Sequence, residues 1–373
     1  MKIGFVHQGY PEVRNILSTR HQEFTHKRVT DIFKILDHLH FKMYYQTKLW
    51  YHNTFDDRFS VGKVDLYHFF NGVNMGNKPW VSSFETFLPR YGTDKKHTLL
   101  ALEKIAGRAC KKIIPFSDFN HRFYLDFLQS SYPDFVSEIQ NKMEVVLPPQ
   151  RPMVDVFDKN LNDETFRVLL VGHYFFSKGG REVFRAVERL HREGYRIEFT
   201  IVSKILADSL ITFTAKEDEE KWKKILGESP FCRHFSIKDN TEVFEIMKKN
   251  HVLLIPSTQE TFGYVVLEAQ ACATPVITTS IRAFPEINNN DCGFVINIPQ
   301  DSNGTAAVST HGYESISQMV EEGVYSALKS MAENRSLIEQ KGTKALERIN
   351  KHHAPKVFSE KLYGIYSKAL QDY

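Results

Sequence analysis

The chain has 373 residues, of which 42% are apolar and 25% are charged, a composition typical of a soluble globular protein whose length favours two domains. The net charge is only +3, and the mild excess of basic residues in the first 150 residues argues against a nucleic-acid-binding protein. That excess is compatible with an anionic acceptor or a membrane surface as partner. An ordinary solvated surface is the alternative.

The cysteines and the N-terminus indicate the compartment. Four cysteines are scattered with no C-x-x-C spacing, which predicts free thiols in a reducing environment. The first apolar run is too short for a signal peptide, and no stretch of about 18 apolar residues follows elsewhere. We therefore expect a cytoplasmic protein that does not span a membrane and is able to work at its inner face.

Short apolar runs alternate with helical patterns, which is typical of parallel strands joined by crossover helices. In the first half of the chain, strands are expected at residues 2–7, 66–70, 80–83, 112–116 and 144–147. The pattern restarts after a proline-bearing segment, and further strands are expected at residues 166–172, 196–202, 235–237, 252–256, 275–279 and 293–298. The two sets predict an α/β protein with two doubly wound sheets.

Ligands of parallel α/β sheets bind at the carboxyl ends of the strands, so the loops that leave the strands carry the functional information. The first such loop, VGHYFFSKGG at 171–180, precedes a helical pattern. Gly179 would expose backbone amides at the start of that helix, and Lys178 adds a full positive charge, so a phosphate would fit there. The alternative is an ordinary glycine turn beside a surface lysine.

The second loop is QETFGYVVLE at 259–268, which follows the apolar run VLLI. Glu260 is expected on the loop, and Glu268 is expected early on the next helix. Gly263 lies between them and, having no side chain, permits close approach to the backbone where the helix begins. A loop carboxylate can accept hydrogen bonds from sugar hydroxyls, and a second carboxylate can hold a ribose diol. Pairs of glutamates at this spacing also arise by chance, so the surrounding motifs must decide.

Several motifs occur together in the order found in one family. VGHYFFSKGG, QETFGYVVLEAQACATPVITT, FPEI at 284–287 and CGFVI at 292–296 resemble the donor domain of retaining glycosyltransferases with the GT-B fold, specifically glycosyltransferase family 4. The resemblance implies two Rossmann-like domains that face each other across a cleft. Residues 1–150 would form the acceptor-binding domain, residues 151–356 the nucleotide-sugar-binding domain, and a C-terminal helix at about 357–373 would cross back to the first.

The resemblance also implies roles for individual residues. Glu260 would hold hydroxyls of the donor sugar, Lys178 would neutralise the departing diphosphate, and Glu268 would hold the ribose. The remaining residues assigned to donor binding are His173, Gly179, Phe262, Gly263 and Tyr264. No cofactor and no metal ion are expected, since enzymes of this fold meet the charge of the leaving group with lysine and helix amides.

The sequence departs from the family pattern at three places. His173 stands where arginine is usual, Phe84 stands where a histidine is often found, and a single Gly9 replaces the usual double glycine after the first strand. Contacts to the acceptor or the sugar are therefore assigned to Gly9, His68 and Glu85. For His68 a purely structural, hydrogen-bonded role is the alternative.

These observations predict a metal-independent enzyme that transfers a hexosyl unit, with retention, from a nucleotide diphosphate sugar to a hydroxyl of a saccharide or lipid-linked acceptor. Envelope polysaccharide synthesis is the setting that the resemblance implies, and the basic first half is compatible with peripheral membrane association. Two alternatives stay open. One is a sugar-nucleotide epimerase or a phosphorylase of the same fold, and the other is a non-catalytic protein that binds nucleotide sugars.

Overall fold

The structure is a computed structural model that describes residues 1–209 and 212–371. The chain forms two units. Unit 1 comprises Met1–Pro149 together with the described part of His353–Tyr373, and unit 2 comprises Gln150–His352. Each unit is built around its own parallel sheet.

The strands are short, and most consist of apolar and β-branched residues. In chain order they are β1 (Lys2–Phe5), β2 (Thr25–Arg28), β3 (Thr54–Phe55), β4 (Leu66–Phe70), β5 (Val73–Asn74), β6 (Trp80–Phe84), β7 (Cys110–Pro115), β8 (Phe166–Tyr174), β9 (Ile197–Lys204), β10 (Cys232–Phe235), β11 (Val252–Ile255), β12 (Val276–Thr279) and β13 (Gly293–Ile296). Strands β4, β6 and β11 are buried along their whole length, as expected for parallel strands covered on both faces.

Helices connect the strands and cover the sheets. They are α1 (Tyr10–Glu12), α2 (Ile32–Tyr44), α3 (Leu49–His52), α4 (Lys95–Ala106), α5 (Asp118–Ser131), α6 (Val136–Gln140), α7 (Gly180–Arg192), α8 (Lys216–Glu228), α9 (Asn240–Lys249), α10 (Tyr264–Ala271), α11 (Phe284–Ile287), α12 (Val308–His311), α13 (Tyr313–Glu333), α14 (Ser336–Arg348) and α15 (Pro355–Gln371). Within the described ranges, none of them combines the length and the apolar character that a membrane crossing requires.

The sheet of unit 1 has the strand order β2-β1-β4-β6-β7, and all of its neighbours are parallel. Helix α15 packs against β4 and β7, so the end of the chain completes unit 1. The order reverses between β1 and β4, which places the switch point of this sheet just after β1.

The sheet of unit 2 has the order β10-β9-β8-β11-β12-β13 and is also entirely parallel. Counted along the chain, this is third, second, first, fourth, fifth, sixth, the order of a dinucleotide-binding Rossmann domain. The prediction of an α/β fold with two Rossmann-like halves is therefore confirmed. The direction of chain progression reverses between β8 and β11.

Two strand predictions need correction, and three strands were missed, namely β2 and the two-residue strands β3 and β5. Residues 144–147 were expected to form a strand, but they do not. This segment makes only isolated backbone hydrogen bonds with the edge of β7, and a pair of prolines follows it. The strand expected at 235–237 lies earlier, at Cys232–Phe235. Strand β2 was missed, since its sequence, THKR, is polar at the edge of the sheet.

Candidate functional site

The switch point of unit 2 brings two loops side by side. One loop leaves β8 and leads into α7, and the other leaves β11 and leads into α10. Because β8 and β11 are neighbouring parallel strands, both loops emerge at the same edge of the sheet, where ligands of Rossmann domains bind. The loops singled out from the sequence thus meet at one site.

Glycines allow the first loop to take its shape. Gly179 precedes α7 with a φ of 78°, and a Cβ atom on it would lie 2.7 Å from the carbonyl oxygen of Pro256 in the second loop. A Cβ atom on Gly172 would lie 2.6 Å from Cγ of Lys178. The missing side chain of Gly172 therefore leaves the space in which the lysine stem lies.

The second loop has the same construction. Gly263 precedes α10 with a φ of 93°, and a Cβ atom on it would lie 2.4 Å from the ring of Phe284. Phe262 is buried, and its ring centroid lies 5.1 Å from that of the partly exposed Tyr264. Glu268 is partly exposed one turn further along α10. Two helices thus begin at this edge of the sheet, each after a glycine that no larger residue could replace without strain.

Lys178 and Glu260 form a direct ion pair across the two loops. The lysine Nζ donates to Oε2 of the glutamate at 2.5 Å, and the two side chains are 15% and 17% exposed. The other carboxylate oxygen accepts a hydrogen bond from the backbone N–H of Thr261 at 3.1 Å. The residues predicted to hold the sugar and the diphosphate are therefore neighbours, and one ligand could contact both.

Arg282 belongs to the same site, although no sequence motif points to it. It follows β12, and its Nη1 donates to the backbone carbonyl oxygen of Glu260 at 2.9 Å, while its Nε donates to that of Asn303 at 3.1 Å. Its φ is 43°, in the left-handed region that residues other than glycine rarely adopt. Burial lowers the pKa of Arg282, and the carboxylates of Asp301 and Glu260 counteract this. The guanidinium thus fixes the loop that carries Glu260.

Buried hydroxyls at the same edge were also missed. The side-chain oxygens of Ser257 and Thr258, directly after β11, and of Ser203, near the end of β9, are buried and lack a hydrogen-bond partner among the described residues. Buried hydroxyls are normally satisfied, and an unsatisfied one requires an explanation. The polar pair Ser257-Thr258, which follows the apolar run VLLI after a single proline, was the sequence signal that could have identified two of them.

His173, which was assigned to donor binding, is exposed. It lies near the end of β8, where the register with β9 is irregular, and its exposed ring packs edge-on against Tyr174 with 4.4 Å between the ring centroids. Lys178 contacts Glu260, whereas the ring contact described for His173 is with Tyr174. The assignment of His173 to donor binding stays a prediction.

The three residues assigned to the acceptor all belong to unit 1. Gly9 precedes α1, and Glu85 follows β6 and is partly exposed. His68 is fully buried in β4, where its ring nitrogens lie 2.6 Å from the hydroxyl of Tyr366 and 2.8 Å from that of Ser83. Burial lowers its pKa to about 3. This geometry favours the structural alternative for His68, which joins β4 to β6 and α15.

Phe84, which stands where the family often has a histidine, is a core residue. It is fully buried in β6 and packs edge-on against Tyr124, with 5.0 Å between the ring centroids.

Across residues 1–209 and 212–371, no group of three or more His, Cys, Asp and Glu side chains could hold a metal ion. The charged groups gathered at the candidate site of unit 2 are a lysine, an arginine and a glutamate.

Comparison with known proteins shows what this region of unit 2 is similar to. Residues 154–311, which contain Lys178, Glu260 and Glu268, match the model of the family "Glycosyl transferases group 1". The chain is 30% identical over 141 residues to glycogen synthase of Mycobacterium tuberculosis, a match that covers 38% of this chain and 32% of that protein. It is 22% identical over 284 residues to the capsular polysaccharide biosynthesis glycosyltransferase CapM of Staphylococcus aureus, covering 74% of this chain and 67% of the relative. The first of these relatives is thus matched over about a third of its length.

Solved structures match the whole chain. Crystal structures of Anabaena Alr3699/HepE in complex with UDP align with a TM-score of 0.59 and 13% identity, covering 99% of this chain and 100% of that one. WaaG, a glycosyltransferase involved in lipopolysaccharide biosynthesis, aligns with a TM-score of 0.54 and 15% identity over 96% of this chain and 99% of that one. The fold of this protein is therefore GT-B, and residues 154–311, which lie in unit 2, are similar to the glycosyl transferases group 1 family.

Proposed function

We propose that this protein is a glycosyltransferase that binds a nucleotide diphosphate sugar in unit 2 and transfers the sugar to a hydroxyl group. The observation that carries the proposal is the ion pair of Lys178 and Glu260, which lies at the switch point of a Rossmann sheet beside the starts of two helices. A cation and helix N-termini favour a diphosphate, and a carboxylate favours sugar hydroxyls. One molecule that carries both groups is a nucleotide diphosphate sugar.

In the proposed reaction, the bond between the anomeric carbon and the leaving phosphate oxygen breaks, and a bond to the acceptor oxygen forms. The acceptor proton passes to the leaving phosphate, so the products are the new glycoside and a nucleoside diphosphate. Lys178 and the first amides of α7 stabilise the charge that develops on the diphosphate. Glu260 orients the sugar through its hydroxyls, and Glu268 holds the ribose.

The comparisons support this proposal at a coarse level. The group 1 family and the glycosyltransferases among the relatives support transfer of a sugar, and HepE has been crystallised with UDP, with UDP and glucose, and with UDP-glucose. We further propose that the sugar is a hexose, that the anomeric configuration is retained, and that no metal takes part. The names of CapM and WaaG favour an acceptor from capsular polysaccharide or lipopolysaccharide synthesis. We propose that transfer takes place at the cytoplasmic face of the membrane.

The proposal is tested with a panel of nucleotide sugars that begins with UDP-glucose. Calorimetry on the full chain measures binding of each nucleotide sugar and of its nucleoside diphosphate. For the diphosphate that binds best, Glu268→Ala should weaken binding by about 1.5–3 kcal/mol, roughly 10- to 150-fold, which is the range for hydrogen bonds to a charged group. Glu220→Ala, on the exposed face of α8 in the same unit, is the matched control and should bind like the wild type.

Turnover then separates the reaction classes. Incubation of the best donor with saccharide and lipid-linked acceptors should release nucleoside diphosphate together with a new glycoside. An isomerised nucleotide sugar would instead identify an epimerase. Cleavage of a disaccharide by added inorganic phosphate, with release of a sugar phosphate, would identify a phosphorylase. If no nucleotide sugar binds to the wild type, or if Glu268→Ala binds as tightly as the wild type, the assignment of the donor site is wrong.

A further inference from the structure

Unit 2 contains a cavity of about 590 Å³ that shares no lining residue with the donor site. Most of its lining residues belong to helix α9 and to strands β8, β9 and β10. On the face of the sheet that lines it, Arg167 of β8 is opposite Glu198 of β9. One step further along, Thr200 of β9 is opposite Arg233 of β10. The volume lies within the range of about 300–1,000 Å³ that is usual for small-molecule sites.

The charges on the wall of this cavity nearly cancel. Four of the lining residues are basic and three are acidic. Oε2 of Glu198 lies 3.0 Å from Nη2 of Arg233. Oε1 of Glu242 lies 2.8 Å from Nζ of Lys238. A phosphate or another strong anion would meet almost as many carboxylates as cations. The wall therefore favours an uncharged polar ligand that both donates and accepts hydrogen bonds.

One polar side chain of the wall has an unmet hydrogen bond. Asn250, which follows α9, is only 4% exposed. Its Nδ2 donates to the backbone carbonyl oxygen of Ile246 at 2.9 Å, whereas its Oδ1 is buried without a hydrogen-bond partner in the described ranges 1–209 and 212–371. Buried amide oxygens are normally satisfied. Because Asn250 lines the cavity, a hydroxyl group of a ligand would supply the missing donor.

The cavity also has an aromatic surface. Phe235, the last residue of β10, lines it and is 37% exposed. Nζ of Lys238 lies 4.7 Å from the centroid of this ring, so a cation–π contact restrains it. The C–H groups of a sugar pack against the electron-rich face of an aromatic ring, while its hydroxyls bind guanidinium, carboxylate and amide groups. The wall offers these three groups in Arg233, Glu198 and Asn250.

We propose that this cavity is a second carbohydrate site, which binds an uncharged oligosaccharide of hexose units. The hydroxyls of the ligand bond to Arg233, Glu198 and Asn250, and one of its rings packs against Phe235. Binding here goes beyond the proposed function, since it needs neither a nucleotide nor transfer of a sugar. In a transferase that extends saccharides, the site would keep the chain bound to the protein between transfers, and this use of it rests on the proposed function.

Calorimetry on the full chain with three hexasaccharides of glucose, namely maltohexaose, cellohexaose and laminarihexaose, tests the proposal. At least one of them should bind with a dissociation constant of about 1 mM or lower. Glucose itself should bind about tenfold more weakly or worse, because a single ring cannot contact the whole wall. The titrations are repeated with the donor site saturated by the nucleoside diphosphate that binds best, which should leave binding of the hexasaccharide unchanged.

Two single variants locate the saccharide. Arg233→Gln removes a charged donor and Phe235→Ala removes the aromatic surface, so each should weaken binding of the best hexasaccharide about tenfold. Both side chains are exposed, so the variants should fold. Matched controls in the same unit are Arg192→Gln and Phe213→Ala, which change exposed residues outside the cavity and should bind the hexasaccharide like the wild type.

Four outcomes would overturn the proposal. They are no binding of any hexasaccharide, binding that neither Arg233→Gln nor Phe235→Ala weakens, and binding that the nucleoside diphosphate abolishes, which would place the saccharide at the donor site. The fourth is that glucose 6-phosphate binds more tightly than every hexasaccharide and loses affinity in Arg233→Gln, which would identify a sugar phosphate as the ligand. Binding of the nucleoside diphosphate in the same samples reports on the donor site, so failure of the proposed function and failure of this inference are distinguishable.

Discussion

Glu260→Gln should have opposite effects on turnover and on nucleotide binding. In the structure the carboxylate shares the ammonium of Lys178 at 2.5 Å. A diphosphate oxygen bound to the same ammonium at about 3 Å would lie about 5–6 Å from the carboxylate, where two like charges repel by roughly 3 kcal/mol at an effective dielectric constant of about 20. Solvent and counter-ions reduce this to about 1 kcal/mol.

The glutamine keeps the shape of the side chain and removes its charge. We therefore expect the nucleoside diphosphate to bind the variant about three- to tenfold more tightly than the wild type, because Lys178 is no longer shared. The value of kcat should fall by roughly 10² or more, since the contact that orients the sugar in the transition state is weakened. Isothermal titration calorimetry with the nucleoside diphosphate and initial rates at saturating donor measure the two effects.

The control is Glu220→Gln, which removes the charge from an exposed ion pair with Lys223 in the same unit and should change neither quantity. Loss of nucleoside diphosphate affinity in parallel with kcat would refute the reasoning. In that case the carboxylate would hold the nucleotide, or the loop after β11 would depend on its charge for its conformation. Unchanged kcat would refute the role of Glu260 in orienting the sugar.

Three further predictions follow from backbone geometry and burial. Gly179→Ala should lower the free energy of unfolding by about 2–4 kcal/mol in denaturant titrations and weaken nucleotide binding. Gly194 also has a positive φ, but a Cβ atom on it would meet no atom within 4 Å, so Gly194→Ala should lower the free energy of unfolding by only about 1 kcal/mol. Arg282→Gly should leave stability within about 1 kcal/mol and lower kcat at least tenfold, while Ala273→Gly, at φ 52°, should leave kcat unchanged. The pKa of His68 is about 3 in the folded protein and about 6.5 in the unfolded chain, so the unfolded chain binds an extra proton between these pH values. The free energy of unfolding should therefore fall as the pH drops through this window, by about 1.4 kcal/mol per pH unit for each such group. His68→Gln should reduce this dependence of the unfolding free energy on pH.

The fold was predictable where burial dictates the sequence. Strands β8 and β11 read FRVLLV and VLLI because both faces of a central parallel strand are covered, and such runs stand out from the helical segments around them. Strand β2 lies at an edge, and its sequence THKR carries no comparable signal. Segment 144–147 has a strand-like composition, but strand formation depends on backbone pairing along β7, which the composition does not determine.

The candidate site was predictable only in its parts. The sequence indicates that Lys178 and Glu260 follow strands, whereas their contact depends on β8 and β11 being neighbours, although β9 and β10 lie between them in the chain. The order of strands in a sheet is a property of tertiary packing and not of local pattern. Arg282 could not be selected for the same reason, since its left-handed φ and its bond to the backbone of Glu260 are visible only in three dimensions.

The charge distribution of the site has a consequence for how it would respond to a ligand. Glu260 is held from two sides, its carboxylate by Lys178 and its backbone carbonyl oxygen by Arg282. A diphosphate that competes for Lys178 removes the first of these restraints but not the second, because the guanidinium binds the main chain. The carboxylate can then turn to the sugar while its loop keeps its place. Because the bond from Arg282 goes to the main chain, it persists when the side chain at residue 260 is replaced. The proposed contact of this side chain with the sugar can therefore be tested by mutation while the bond that holds the loop is kept.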